Sequence, residues 1–143
     1  MIHEILTGDT IIHERILGSK EPIEGNSCYC VKQLKEDNWI ISTHEDFVVR
    51  EFQFDLDAKS LEEKFVYLGH TNTVRNIGLQ KDQERLVTCC EDQSLWIWNW
   101  QDTDSKYLLS GHTDFAVCGD WLSNDTVVST SWDLSIKIWK IPA

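Results

Sequence analysis

The sequence predicts an all-β chain assembled from a repeated unit of antiparallel strands, and three observations carry that prediction. Gly69-His70-Thr71 returns as Gly111-His112-Thr113, 42 positions on. Each opening is followed by a closing pair six positions apart, Asp92 with Trp98 and Asp133 with Trp139. Between opening and closing, apolar and polar residues alternate in short runs bounded by polar turns, which is the period of half-buried strands. From histidine to aspartate the separation is 22 positions in one copy and 21 in the other.

Residues 1–26 are read as an N-terminal strand and linker. Short apolar clusters are broken by Gly8, Asp9 and Gly18, and Ile11 to Leu17 reads as one edge strand. Pro22, Gly25 and Asn26 then interrupt regular structure. Residues 27–54 form a first, degenerate repeat with strands CYCVKQL, WIIST and FVVREFQF. Asp46 and Phe52 keep the six-residue offset, but phenylalanine replaces tryptophan and no Gly-His precedes them. Asp55 to Lys64, with four acidic residues, reads as a solvated polar insert. The second repeat, residues 65–100, continues through TVRNIGL, RLVTCC and SLWIWNW; QDTDS reads as a turn before the outer strand KYLLS. The third repeat, residues 106–140, matches it through FAVCGDW, TVVSTS and SIKIWKI.

A Gly-His opening and an Asp-x5-Trp closing at a period near 42 resemble the WD-repeat family of β-propellers, whose period is about 40–45. The resemblance implies a partial β-propeller of three four-stranded antiparallel blades, the first degenerate, with residues 27–140 forming one domain. It also implies a buried polar tetrad in each intact blade. There the tryptophan N–H meets a Ser or Thr hydroxyl, which links through histidine to the turn aspartate. The second repeat supplies His70, Thr88, Asp92 and Trp98. The third supplies His112, Asp133, Trp139 and either Ser129 or Ser131, of which Ser131 is taken as the expectation. Such a set is useful only when complete, because an unpaired buried donor costs about 1–3 kcal/mol. The first repeat lacks it and is expected to be the softest blade.

His, Asp and Ser together also suggest catalysis. The same set twice at structural spacing argues against it, since a catalytic triad has no reason to repeat. No P-loop, GxSxG or HExxH occurs, so no catalytic residue, metal or cofactor is assigned. Function is therefore expected on a face of the blades. The residues before each turn aspartate (Glu45, Glu91 and Trp132) and those after each Gly-His-Thr (Asn72, Thr73, Asp114 and Phe115) are expected to point there. Trp132 beside Phe115 forms the candidate anchor, as aromatic residues dominate interface energetics. Trp96 departs from the usual polar residue at its position and is expected to pack against a neighbouring blade.

Thirteen basic against 24 acidic residues give a net charge of −11. Such a surface repels phosphate, which disfavours nucleic acid and anionic membranes and favours a basic protein partner. No apolar run approaches the ~18 residues of a membrane span, and the first residues lack the basic and apolar regions of a signal peptide. Five cysteines, an odd number without paired Cys-x2-Cys motifs, fit reduced thiols in the cytoplasm or nucleus. Rings of this architecture hold about 4–8 blades, so further blades are expected from a longer chain or from self-association. The stretch from Cys28 to Val49, with the Gly-His repeats, is also similar to WD domains of F-box substrate receptors and of BEACH scaffolds. The expected function is a non-catalytic protein-interaction scaffold. The alternatives are a substrate-recognition part of a ubiquitin ligase and a structural fragment without binding activity.

Overall fold

The computed structural model describes residues 26–35, 38–82 and 84–142. They form three antiparallel sheets in which strands follow chain order. The first holds β1 (Cys28–Gln33), β2 (Trp39–His44), β3 (Val49–Asp55) and β4 (Ser60–Tyr67). The second holds β5 (Val74–Leu79), β6 (Arg85–Cys90), β7 (Leu95–Asn99) and β8 (Asp102–Leu109). The third holds β9 (Ala116–Ser123), β10 (Thr126–Ser131) and β11 (Ile136–Lys140). We call these blades 1, 2 and 3. Their middle strands are rich in Ile, Val and Thr, whose branched side chains fit the pleated surface.

Two expectations are corrected. The third sheet has three strands among the described residues, not four; no strand pairs with the far edge of β11. The Ile11–Leu17 segment, read from the sequence as one edge strand, lies outside the described residues. The acidic insert from Asp55 to Lys64 is mostly strand, with only residues 56–59 in a turn. An outer strand has one wet face, so Glu62, Glu63 and Lys64 stay exposed while Phe65 and Tyr67 turn inward. A register shift between Glu51 and Phe52 takes up the extra residue. For the same reason the supposed turn QDTDS is mostly the start of β8.

The core lies between blades. Ile41, Val49 and Tyr67 of blade 1 pack with Val74, Ile77, Leu86, Cys90 and Trp98 of blade 2. Val87, Cys89, Leu95 and Ile97 of blade 2 pack with Ala116, Val127 and Ile141 of blade 3. Each such side chain contributes roughly 1.5–3 kcal/mol of burial, so a blade is stable through its neighbour. None of the five cysteines is in a disulfide.

Candidate protein-interaction face and the polar cores beneath it

In blade 2, the Trp98 indole N–H donates to Thr88 Oγ1 at 2.9 Å. Thr88 Oγ1 lies 2.6 Å from His70 Nε2, and His70 Nδ1 lies 3.0 Å from Asp92 Oδ2. The carboxylate only accepts, so Nδ1 carries the proton; Nε2 then accepts from the hydroxyl, whose oxygen accepts from the indole. The order of donors is fixed from end to end. Blade 3 repeats it with Trp139, Ser129, His112 and Asp133, at 2.8, 2.8 and 2.7 Å. Ser129, not Ser131, therefore occupies the third position. The Ser131 hydroxyl instead donates to the Asp114 carbonyl at 3.1 Å. Both serines lie on one strand face, but only Ser129 stands ten residues before its tryptophan, as Thr88 does. Ser129→Ala is expected to cost about 1–3 kcal/mol in urea unfolding and Ser131→Ala less than about 1 kcal/mol. The opposite ranking would return the role to Ser131.

The glycine of each opening follows from the same packing. Gly69 and Gly111 have φ of +152° and +157°, and a Cβ at Gly111 would stand 3.2 Å from the Trp139 ring. Burial raises the pKa of Asp92, but His70, the Ser94 hydroxyl and the Thr71 amide outweigh it and hold the carboxyl well below its usual range. Asp133 is held low by Ser135 above all, then by His112 and the Thr113 amide. His70, Cys90 and Asp92 offer ligand atoms within 4.8 Å of one another. Both ring nitrogens of His70 are already bonded, and the Cys90 thiol donates to the Asn72 carbonyl at 3.1 Å. The cluster is a closed hydrogen-bond network. Trp96 packs within its own blade: its ring lies 5.7 Å from that of Trp98, and Lys106 Nζ sits 5.0 Å above both.

Blade 1 uses different chemistry. Asp46 is fully withdrawn from solvent and receives two hydrogen bonds from Arg50, at 2.8 and 2.6 Å. Phe52 offers no donor, and Ser42 Oγ bonds His44 Nε2 at 2.8 Å instead. Cys28 Sγ lies 3.3 Å from His44 Nδ1. Burial, reinforced by Arg50, lowers the His44 pKa to about 4, and burial pushes the Cys28 thiol up. At neutral pH the pair is a thiol beside a neutral imidazole, the wrong state for a thiolate nucleophile.

The depressed His44 pKa has a pH consequence. The unfolded chain protonates near 6.5 and the folded chain near 4, so the stabilisation is whole above pH 6.5 and is lost as pH falls through about 4. Burial raises the Glu51 pKa, which acts in the opposite sense. The difference between the parent chain and His44→Gln isolates the histidine. That difference is expected to shrink by about 2–3 kcal/mol from pH 7 to pH 4 in urea unfolding. A difference independent of pH would contradict the neutral, buried imidazole.

Above these interiors, one end of the sheets repeats a small motif. Glu45 N donates to the Ser27 carbonyl, Glu91 N to Thr73 and Trp132 N to Phe115, at 2.9, 2.9 and 3.0 Å. The three residues before the turn aspartates thus share one end of the blades. Trp132 is 58% exposed and its ring lies 4.9 Å from that of half-buried Phe115. Glu45 is exposed, while Asn72 and Asp114 are half-buried and cap the amides of Thr73 and Phe115. Glu91 is ion-paired to Arg75, whose guanidinium stacks 4.6 Å from the Tyr29 ring. Tyr29 and Arg75 were not anticipated from the sequence. Each sits at a register break in its inner strand, as Val117 does in β9. Such bulges re-aim a side chain. The signal was the repeat spacing itself: 29, 75 and 117 are 46 and 42 apart.

The family model for the WD domain, G-beta repeat, matches residues 61–99 and 103–140, more than half of the sequence. The chain belongs to the WD-repeat family. A relative from Drosophila mojavensis, the ribosome biogenesis protein WDR12 homolog, is 24% identical over 122 residues, 74% of this chain and 29% of the relative. Human apoptotic protease-activating factor 1 is 32% identical over 72 residues, half of this chain and 6% of that protein. The solved structures of U3-55K and of the RRP9 WD40 repeats each superpose with a TM-score of 0.68 at 20% identity, over 80% of this chain and 36% of theirs. The WD repeats here thus span about three-tenths of the WDR12 relatives' length.

Proposed function

We propose that this chain is a non-catalytic interaction scaffold that holds a protein partner on the end of the blades marked by Trp132 and Phe115. The observation that carries the reading is an indole left 58% exposed against a second aromatic ring. Every polar group of the tetrads beneath is engaged within the fold. Aromatic pairs of this kind anchor interfaces because they bury much surface at small entropic cost. Asp114 precedes Phe115, Glu45 and Glu91 hold in the other two blades the position of Trp132, and the net charge of −11 favours a basic protein surface. The same charge argues against direct binding to RNA, even within a ribonucleoprotein assembly. Relatives named for ribosome biogenesis support an intracellular, nuclear setting. They lend no support to the ubiquitin-ligase alternative.

Trp132→Ala and Phe115→Ala, tested singly, are expected to weaken capture of the partner from cell extract by at least about 2 kcal/mol, roughly thirtyfold. The melting temperature of the Trp132 variant should stay unchanged. Capture that survives both substitutions, or loss that tracks unfolding in both, contradicts the reading.

A further inference from the structure

The turn between β10 and β11 carries a second apolar side chain that the fold leaves in solvent. The turn is closed by the Leu134 N–H, which donates to the Ser131 carbonyl at 3.3 Å. Leu134 has a φ of +69°, a left-handed conformation uncommon for a bulky residue, and is 97% exposed. A leucine there gains no burial and holds a backbone shape that glycine or asparagine adopts more readily. Phe47 and Gln93 hold the same place in the turns of blades 1 and 2, each with a φ of +73°. Both of those blades have a following blade packed beside them, yet Phe47 is only half-buried and Gln93 is exposed. The open position of Leu134 therefore belongs to the turn. Ile136 and Ile138 differ: they are 72% and 69% exposed, but their counterparts Leu95 and Ile97 are buried against blade 3.

The same turn is tied down from beneath. Asp133 accepts from the Thr113 and Ser135 amides at 3.1 and 2.9 Å and from His112 Nδ1 at 2.7 Å. Trp132 N donates to the Phe115 carbonyl, and the two aromatic rings are in contact. Trp132 and Leu134 thus flank a fixed aspartate, and a turn already fixed loses little freedom when it binds. Side chains that project from a turn are convex, so their complement is a hollow. Resting on the reading of this end as the interaction face, we propose that Trp132 and Leu134 are two prongs of one anchor. The partner receives them in an apolar groove rimmed by Lys or Arg. The net charge of −11 and the carboxylate of Asp114, next to Phe115, select the basic rim. Tetrad and anchor are joined in this account: the buried aspartate of blade 3 holds the prongs in place.

The test places a photoreactive phenylalanine analogue at position 134 of the full chain in cells and maps the attachment points by mass spectrometry. The expected adduct is with the protein that position 132 also captures, attached at apolar residues flanked by Lys or Arg. No adduct, a different protein, or an acidic attachment site would overturn the proposal. Attachment to residues 1–25 of this chain would overturn it too, since the turn would then be covered from within. The captured protein is then purified and titrated. Leu134→Asn is expected to weaken its binding roughly tenfold. The melting temperature should hold or rise, because asparagine tolerates a positive φ. Binding of the parent chain should weaken as salt rises. If Leu134→Asn binds like the parent while Trp132→Ala does not, the second prong is refuted and the interaction face stands. Lost binding with a lowered melting temperature makes Leu134 a packing residue and refutes the proposal. Full binding by both variants refutes the prong and the face together.

Discussion

Arg50→Met is expected to destabilise the chain by about 3–5 kcal/mol, because it removes the cation paired with the buried Asp46 carboxylate. In blades 2 and 3 the turn aspartate is held by a histidine that blade 1 lacks. Arg50, four residues on in β3, reaches Asp46 with two hydrogen bonds and also Glu63 at 3.0 Å. The paired variant Arg50→Met with Asp46→Leu is expected to recover most of the loss, since a buried pair replaced by apolar groups is often neutral. Urea unfolding of the single and double variants measures both. A single-variant cost below about 1 kcal/mol would mean that the ion pair does not replace the tetrad.

Gly78→Ala is expected to cost about 2–3 kcal/mol by forcing blades 2 and 3 apart. A Cβ there would lie 2.7 Å from the Gly119 carbonyl oxygen and 2.8 Å from Asp120 Cα. Both are backbone atoms of the neighbouring blade and cannot swing aside. The Trp121 indole N–H also donates to the Gly78 carbonyl at 3.3 Å, so the same shift strains a second contact. Thermal melting with near-UV circular dichroism reads the loss. An alanine variant within about 0.5 kcal/mol of the parent would contradict this spacing of the blades.

The parts legible in the sequence were those that repeat with the blade. Glycine, histidine, aspartate and tryptophan could be paired by spacing alone, because a φ above +150° and a four-member hydrogen-bond chain admit few other residues. The third tetrad showed where local alternation stops short: Ser129 and Ser131 share a face, and only the distance to Trp139 separates them. Arg50 was hidden because a repeat without its histidine looks merely incomplete, and nothing in a strand pattern announces a replacement ion pair. Tyr29 and Arg75 were hidden because alternation presumes a regular ladder, and both sit where the ladder slips. The outer strands were shortened because acidic residues on a wet strand face read like a loop. The exposed face was anticipated only as positions; the contact of the Trp132 ring with Phe115 depends on how β9 and the β10–β11 turn meet in space.

The most direct test of the central claim is site-specific photo-crosslinking in cells. A photoreactive phenylalanine analogue would replace Trp132, and in a second variant Tyr107, an exposed residue of the outer strand β8. The account predicts a discrete, ribonuclease-resistant protein adduct from position 132 and none of the same mass from position 107. Equal labelling at both positions, or an adduct at 132 that ribonuclease removes, would contradict it.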